Sequence, residues 1–548
     1  MKPSQTKGLQ RLLNRRFPQG DVYTLEQARE LALLSRAVGR QIGLLINRRG
    51  RVEMVIVGEP GSLLIPELPR SRVGADRLRG LRLLHTHLTP DLLSQEDLMD
   101  MLFLRLDAVI ALSVNPMGDP VQWQAAHLLP GPGDAPYRVD APHPWERTAA
   151  DLAATAEALE EELARDGSDA RAASDAPRAL LVSVSSLPRI QQERHLDELA
   201  ELARTAGLEV AGRMVQRVAQ VNPKFIMGKG KMAELEVLAL QHHAGTLVFD
   251  GELAPAQLHN LADITERKVL DRTQLILDIF AQHAVTSAGK LQVELAQLRY
   301  TQPRLTGRNR AMDRLMGGIG GRGPGETKLE TDRRRIRDRM ARLRKELDRL
   351  RKQRAFTRGR RNRQGIPLAA LVGYTNAGKS TLLNNLTRSD VLAENKLFAT
   401  LDPTTRRLRF PAEREIILAD TVGFIRNLPK ELMDAFRATL EELDAADVLV
   451  HVADASHPDL VLQMESVETI LEELELHERP RLLVLNKWDK LPGPARAELQ
   501  DAFPHALGVS ALTGDGLNAL LRRLEELLLQ PHPLAIPVFP DDASSPLQ

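Results

Sequence analysis

Residues 367–372, PLAALV, run without a charge into Gly373-Tyr374-Thr375-Asn376-Ala377-Gly378-Lys379-Ser380-Thr381, and then into LLNNLT. A G-x-x-x-x-G-K-S run between an apolar segment and a helical one imposes a strand, a tight loop and a helix on the chain. That requirement predicts an α/β layer built on a mostly parallel sheet. Gly373 and Gly378 let the backbone curl so that its N–H groups face phosphate oxygens. Lys379 can reach terminal phosphates, Ser380 offers a hydroxyl to Mg²⁺, and the helix N-terminus adds its dipole.

Three further elements follow in chain order. Asp420-Thr421-Val422-Gly423 comes after the apolar run EIILAD. An acid there can hold Mg²⁺ through water, and the Gly423 amide can meet a γ-phosphate. Asn486-Lys487-Trp488-Asp489 follows RLLVLN. The Asp489 carboxylate can accept from N1–H and the 2-amino group of guanine. Adenine offers neither donor, so it would leave the carboxylate unpaired. Val509-Ser510-Ala511 can present backbone N–H groups to the guanine oxygen. Four elements in this order read as a guanine-nucleotide site. Between them, FATLDPTTRR holds the candidate switch threonines: Thr400 first, then Thr404 and Thr405. Phe424 stands where a water-orienting glutamine would serve hydrolysis. A phenyl ring cannot orient water, so hydrolysis by the isolated chain is expected to be slow.

The 548 residues suggest several domains and enough chain for sizeable cores. With no cysteine, disulfides, thiolate zinc sites and cysteine nucleophiles are excluded, which suits a reducing cytoplasm. No apolar run is long enough to span a membrane. Aromatic residues make up 3% of the chain, too few for a base-stacking surface. The net charge of +1 hides an asymmetry, because residues 304–363 carry 22 Lys and Arg against 7 Asp and Glu. Such a basic block points to a polyanion, nucleic acid by default, with a solvated helix face as the other reading.

These patterns predict an α/β chain in six parts. They are an N-terminal α/β domain (1–130), an Ala/Pro/Asp-rich linker (131–177) and a small α/β subdomain (178–285). A basic antiparallel helical hairpin (286–364), a P-loop GTPase domain with helices on both sheet faces (365–530) and a Pro-rich tail (531–548) complete it.

FATLDPTTR, DTVGFI and GYTNAGKST, together with NPKFIMGKGK, FDGEL, LDRTQLILDIFAQHA and GGIGGRGPGETKLETDRRRI upstream, resemble the HflX branch of the translation-factor-related GTPases. The likeness covers about residues 178–530. It implies a GTPase that binds the large ribosomal subunit and splits and rescues ribosomes under stress. Its hydrolysis would be slow until ribosomes stimulate it. Residues 373–381 would hold the phosphates, and Ser380 and Thr400 the Mg²⁺. Phe398, Ala399, Thr400, Leu401 and Asp402 would form switch I, Asp420 to Gly423 switch II. Asn486, Lys487, Trp488, Asp489, Val509, Ser510 and Ala511 would hold the base. Lys379, Thr400 and Gly423 would carry the catalysis.

In such a protein the hairpin, with Arg322, Gly323, Arg333, Arg334 and Arg335, would contact rRNA. Asn376 resembles the asparagine with which related GTPases hold K⁺. Gly228-Lys229-Gly230-Lys231 could grip a nucleotide phosphate or rRNA backbone, or form a tight turn with exposed lysines. The family is reported to bind ATP through its N-terminal domain. A cytoplasmic monomer is expected, meeting membranes only by way of ribosomes. A GTP-gated assembly checkpoint on immature large subunits is the alternative.

The front residues hold His85-Thr86-His87, then Ser94 and Asp97. This H-x-H…S-x-x-D pattern resembles the zinc signature of JAMM-type metallopeptidases, with Glu53 or Glu59 as an upstream acid. The spacing is one residue shorter than in that signature, and Leu88 replaces its usual proline. A GTPase-regulated metallopeptidase and a metal-free docking module both remain open.

Overall fold

The computed structural model describes residues 2–66, 68, 78–129, 137–173, 176–265, 267–304, 324–362, 366–387, 397–398, 404–410, 414–426, 428, 433 and 443–529. The chain divides into two compact units, residues 1–271 and 272–548.

The first unit contains two sheets. In the front sheet, strands Val52–Val57, Ile42–Asn47, Leu81–His87, Ala108–Val114, Pro120–Leu128 and Tyr137–Val139 lie side by side in that order, and His143–Pro144 also pairs with Pro120–Leu128. Only Leu81–His87 and Ala108–Val114 run parallel, because helix Gln95–Leu104 supplies the crossover between them. Every residue of Ala108–Val114 is buried. Helix Leu25–Val38 starts at a Thr24–Gln27 capping box and ends at Gly39, whose φ of 70° suits glycine.

The second sheet is fully parallel, in the order Lys268–Asp271, Thr246–Phe249, Arg178–Ser185, Glu209–Arg217. Helix Lys229–Gln241 of this half sends Ala233, Val237 and Leu240 into a front-sheet core cluster. Two details differ from the sequence reading. Residues 137–144, expected in a linker, pair with the front sheet, and Ala156 and Leu159 are buried. The segment reads as linker because prolines and polar residues suit short edge strands. Residues 178–271 cluster with the front residues rather than standing alone.

In the second unit, helices Ser287–Arg304 and Pro324–Asn362 form the two basic arms. Leu295, Met340, Leu343 and Leu347 are buried between them. The arms are antiparallel: Glu294 pairs with Arg339 at 2.7 Å, while Gln302 and Pro303 lie beside Arg333 and Arg337. The GTPase sheet has the order Thr404–Arg409, Glu415–Asp420, Leu368–Val372, Val448–Asp454, Arg481–Asn486, Leu507–Gly508. Only the edge strand Thr404–Arg409 is antiparallel. Leu368–Val372 is flanked on both sides and wholly buried, so its C-terminal end opens at the sheet's centre.

Candidate functional site: the nucleotide end of the parallel sheet

Strand Leu368–Val372 ends in the glycine loop, and helix Lys379–Thr387 begins directly after it. Gly373 has φ of 148°, and a Cβ there would lie 2.1 Å from the Val452 carbonyl oxygen. At Gly378, with φ of 92°, a Cβ would lie 2.3 Å from Asn486 Nδ2. Both positions therefore demand glycine.

Lys379 is buried, and its Nζ donates to the carbonyls of Gly373 at 3.0 Å and Tyr374 at 2.9 Å. Burial pulls its pKa down to about 8, against the opposing pull of Asp420. Ser380 Oγ donates to Asp420 Oδ2 at 2.7 Å, so a hydroxyl and a fully buried carboxylate meet where a divalent cation would be held. Thr421 Oγ1 donates to the Leu371 carbonyl at 2.6 Å and fixes the strand end. A Cβ on Gly423 would lie 3.2 Å from Lys379 Nζ, so this residue backs directly onto the lysine.

Phe424 is buried and joins the glycine loop through its backbone. Its N–H donates to Gly373 at 3.0 Å, and its carbonyl accepts from Thr375 at 2.7 Å. The Tyr374 hydroxyl accepts from the Arg426 N–H at 3.0 Å. The buried Phe424 ring is thus a packing group.

At the other end, Asn486 bridges two loops. Its Nδ2 donates to the Ala377 carbonyl at 2.8 Å, and its Oδ1 accepts from the Ala511 N–H at 2.9 Å. Lys487, in left-handed backbone, pairs with Asp454 at 2.6 Å. Trp488 N–H donates to the Val509 carbonyl at 3.0 Å, and its ring covers Gly508. Asp489 lies half-buried in the short turn Trp488–Lys490. Ser510 is buried, its Oγ accepting from the Thr513 N–H at 3.1 Å. The phosphate loop, Asp420 strand end, Asn486 loop and Ser510 loop therefore converge.

Ala399, Thr400, Leu401 and Asp402 lie outside the described residues, as do Arg322 and Gly323. Thr404 pairs with Asp420 across the sheet edge. Asn376 is exposed in left-handed backbone. Arg334 and Arg335 are exposed and Arg333 partly so.

Other contacts were not expected. Helix Arg272–His283 reaches two segments beside the nucleotide loops: Arg272 donates to the Arg426 carbonyl at 2.7 Å, and the Phe280 ring lies 4.6 Å from that of Phe398. His451, paired with Val372 and buried, is pulled down to about pKa 3 by burial, then by Arg481 and Lys379. In the first unit, Gly228 caps helix Lys229–Gln241, Lys229 pairs with Glu96 at 3.6 Å, and Lys231 pairs with Glu234. Glu53 accepts from Asn47, and Glu59 pairs with Arg40. His85, His87 and Asp97 converge.

The comparisons with known proteins agree along the chain. Residues 193–281 match the family model for the GTP-binding GTPase N-terminal region, and 283–361 match its middle region. Residues 368–487 match the model described as a 50S ribosome-binding GTPase. GTPase HflX of Lacrimispora saccharolytica is 48% identical over 352 residues, which are 64% of this chain and 83% of that protein. This chain belongs to the HflX GTPase family. GTPase HflX of Escherichia coli K12 is 45% identical over 354 residues, 63% of this chain and 83% of the relative. A GTP-binding protein from Sulfolobus solfataricus, solved with GDP, is 26% identical, with TM-score 0.36, over 64% of this chain and 99% of its own. Like other HflX proteins, this one is an enzyme that hydrolyses GTP to GDP and phosphate. Residues 1–192 lie outside all three family models. Among the described residues, no helix is long and apolar enough to cross a membrane.

Proposed function

We propose that this GTPase binds the large ribosomal subunit and acts there as a splitting and rescue factor under stress. Its hydrolysis would be slow alone and stimulated by ribosomes. The carrying observation is helix Arg272–His283, which meets Phe398 of the expected switch I through Phe280, and Arg426, three residues past the expected switch II, through Arg272. It continues almost directly into the hairpin arm Ser287–Arg304. An ordering of the switches by GTP would thereby bias the hairpin, and subunit binding would bias the switches in return. The description of the matched family model as a 50S ribosome-binding GTPase supports the same partner.

In this reading Lys379 faces the β- and γ-phosphates, Gly423 meets the γ-phosphate, and Asp489 recognises guanine. Ser380, Thr400 and Asp420, the last through water, hold Mg²⁺. The contact between Ser380 and Asp420 fits that ion. Mg²⁺ supplies charge neutralisation on the phosphates. Asn376 would hold K⁺. Phe424 leaves water positioning to backbone or to the ribosome. Arg322, Gly323, Arg333, Arg334 and Arg335 provide rRNA phosphate contacts, which bring a steep salt dependence. The protein works as a monomer in the cytoplasm.

The test is GTP turnover with and without purified large subunits at two KCl concentrations. Stimulation of at least about tenfold is expected, weakened when Arg333, Arg334 and Arg335 become Ala. Joined ribosomes should sediment as subunits when the GTP-loaded protein is added. No stimulation by any ribosomal particle, with nucleotide still bound, overturns the proposal. Stimulation only by precursor particles replaces splitting with an assembly checkpoint.

A further inference from the structure

The His85, His87 and Asp97 cluster lies in the front sheet, far along the chain from the nucleotide loops. His85 and His87 alternate with Thr86 on strand Leu81–His87, so both imidazoles leave the same face. Thr86 faces the other way, where its hydroxyl meets Ser35 at 2.7 Å and accepts from the Ile42 N–H at 3.0 Å. The residues paired with His85 are Gly43 and Ala111, and the Leu63 side chain packs over Gly43, where a Cβ would lie 2.5 Å from it. Asp97 comes from the first turn of helix Gln95–Leu104. Ser94 caps that helix, and both its N–H and its hydroxyl donate to Asp97 Oδ2 at 2.7 Å. The carboxylate is thereby oriented before any ligand arrives.

All three side chains are buried, and their ligating atoms turn inward to one point. His85 Nε2 lies 2.8 Å from His87 Nε2 and 3.1 Å from Asp97 Oδ1, and His87 Nε2 lies 3.5 Å from Asp97 Oδ2. Ligands about 2.0–2.1 Å from a tetrahedral zinc ion stand about 3.3 Å from one another. The three distances bracket that edge. Protons alone serve the cluster poorly. If both imidazoles donate to Asp97, two N–H groups stand side by side, and if one donates to the other, Asp97 loses a donor. A divalent cation at the centre accepts all three lone pairs at once.

We propose that His85, His87 and Asp97 bind one Zn²⁺ ion with three protein ligands, leaving the fourth position to water. Two neutral imidazoles and one carboxylate make a borderline donor set, suited to zinc rather than to Ca²⁺ or Mg²⁺. Three ligands with one open position characterise sites that activate water or bind an exchangeable group, whereas structural zinc sites are closed by four. Ser94 is a positioning residue for Asp97. Glu59 lies beyond the same end of the sheet as His87, since its carbonyl accepts from the Gln41 N–H, and Glu53 pairs with Asn47 near the opposite end.

The test uses the full chain without a histidine tag, dialysed against Zn²⁺ and analysed for metal per chain. About one zinc per wild-type chain is expected, with little left in His85→Ala/His87→Ala. Ser94→Ala should weaken binding roughly tenfold by loosening Asp97. An unchanged far-ultraviolet circular dichroism spectrum and thermal midpoint would show that these variants remain folded. If a variant fails to fold, Co²⁺ loading of the wild-type chain decides. A tetrahedral visible spectrum, bleached by one equivalent of Zn²⁺, supports the site. Wild-type protein holding far less than one zinc per chain, no such cobalt spectrum, or zinc retained by the folded double-histidine variant overturns it.

Discussion

Two loops in this molecule pair glycine with lysine at the start of a helix, and they are built differently. In the first, residues 373–380, Lys379 is buried, folds back over two loop carbonyls and faces the neighbourhood of Asp420. Its glycines are pinned by Val452 and Asn486, residues of two other strands. In the second, residues 228–231, a Cβ on either glycine would meet nothing within 4 Å. Its lysines pair with the surface carboxylates Glu96 and Glu234. A helix N-terminus with a nearby lysine thus occurs in two forms here, one enclosed and one exposed. What distinguishes residues 373–380 is the enclosure supplied by neighbouring strand ends, which removes the lysine from water and places an acid opposite it.

The largest effect should separate the two loops. Lys379→Ala is expected to lower GTP turnover by about 10³-fold, whereas Lys229→Ala/Lys231→Ala leaves it within about twofold. Steady-state phosphate release measures both. Comparable losses from the two would break the contrast. Next in size is Asp489→Asn, which should weaken GTP by roughly 10²-fold, about 3 kcal/mol. It should improve the relative binding of xanthosine triphosphate, whose 2-oxo group can accept from the new amide. Competition with a fluorescent guanine nucleotide would reveal either pattern. Unchanged GTP affinity would remove Asp489 from the base site.

Smaller still is the effect of Phe280→Leu, which keeps an apolar side chain but loses the ring contact with Phe398. Basal turnover should hold while ribosome-stimulated turnover loses about 0.5–2 kcal/mol of coupling. Equal loss in both assays would mean that the helix does not connect switches to hairpin. His451 adds a pH dependence. Burial holds its folded pKa near 3, below the unfolded value, so the unfolded chain binds the extra proton first. Stability should therefore fall as pH drops through about 6.5, by about 1 kcal/mol at pH 5.5. Urea midpoints at several pH values would show this, and His451→Leu should flatten the slope.

The nucleotide loops were legible in the sequence because one ligand sets their local spacing. Gly373 to Ser380, Asp420 to Gly423 and Asn486 to Asp489 each carry their chemistry within a few residues. Contacts that depend on distant chain were not legible. Phe280 meets Phe398 across more than a hundred residues, and no period or motif announces the pair. Asp454 could have been suspected as a strand-end acid beside the Asn486 loop, but its partner Lys487 is fixed only by sheet register. Strand Glu209–Arg217 escaped notice because its sequence, EVAGRMVQR, mixes polar and apolar residues as a partly exposed edge strand does. For His85, His87 and Asp97 the spacing hinted at a metal site. Their convergence also needs the first turn of helix Gln95–Leu104 to pack against the end of strand Leu81–His87, which spacing alone does not fix.

The smallest expected effect tests the second loop by itself. Lys229 is largely exposed and stands 3.6 Å from an equally exposed Glu96, while Lys231 pairs with Glu234 three residues on. Exposed pairs of this kind contribute little, because water screens the attraction and ordering two long side chains opposes it. Lys229→Ala/Lys231→Ala should therefore change stability, read by thermal unfolding, by no more than about 0.5 kcal/mol and leave GTP affinity untouched. ATP affinity should also be unaltered if these lysines only solvate a turn. A clear loss of ATP or rRNA binding in the same variant would give the second loop a phosphate-binding role after all. Enclosure by neighbouring strand ends would then cease to be the requirement that separates the two loops.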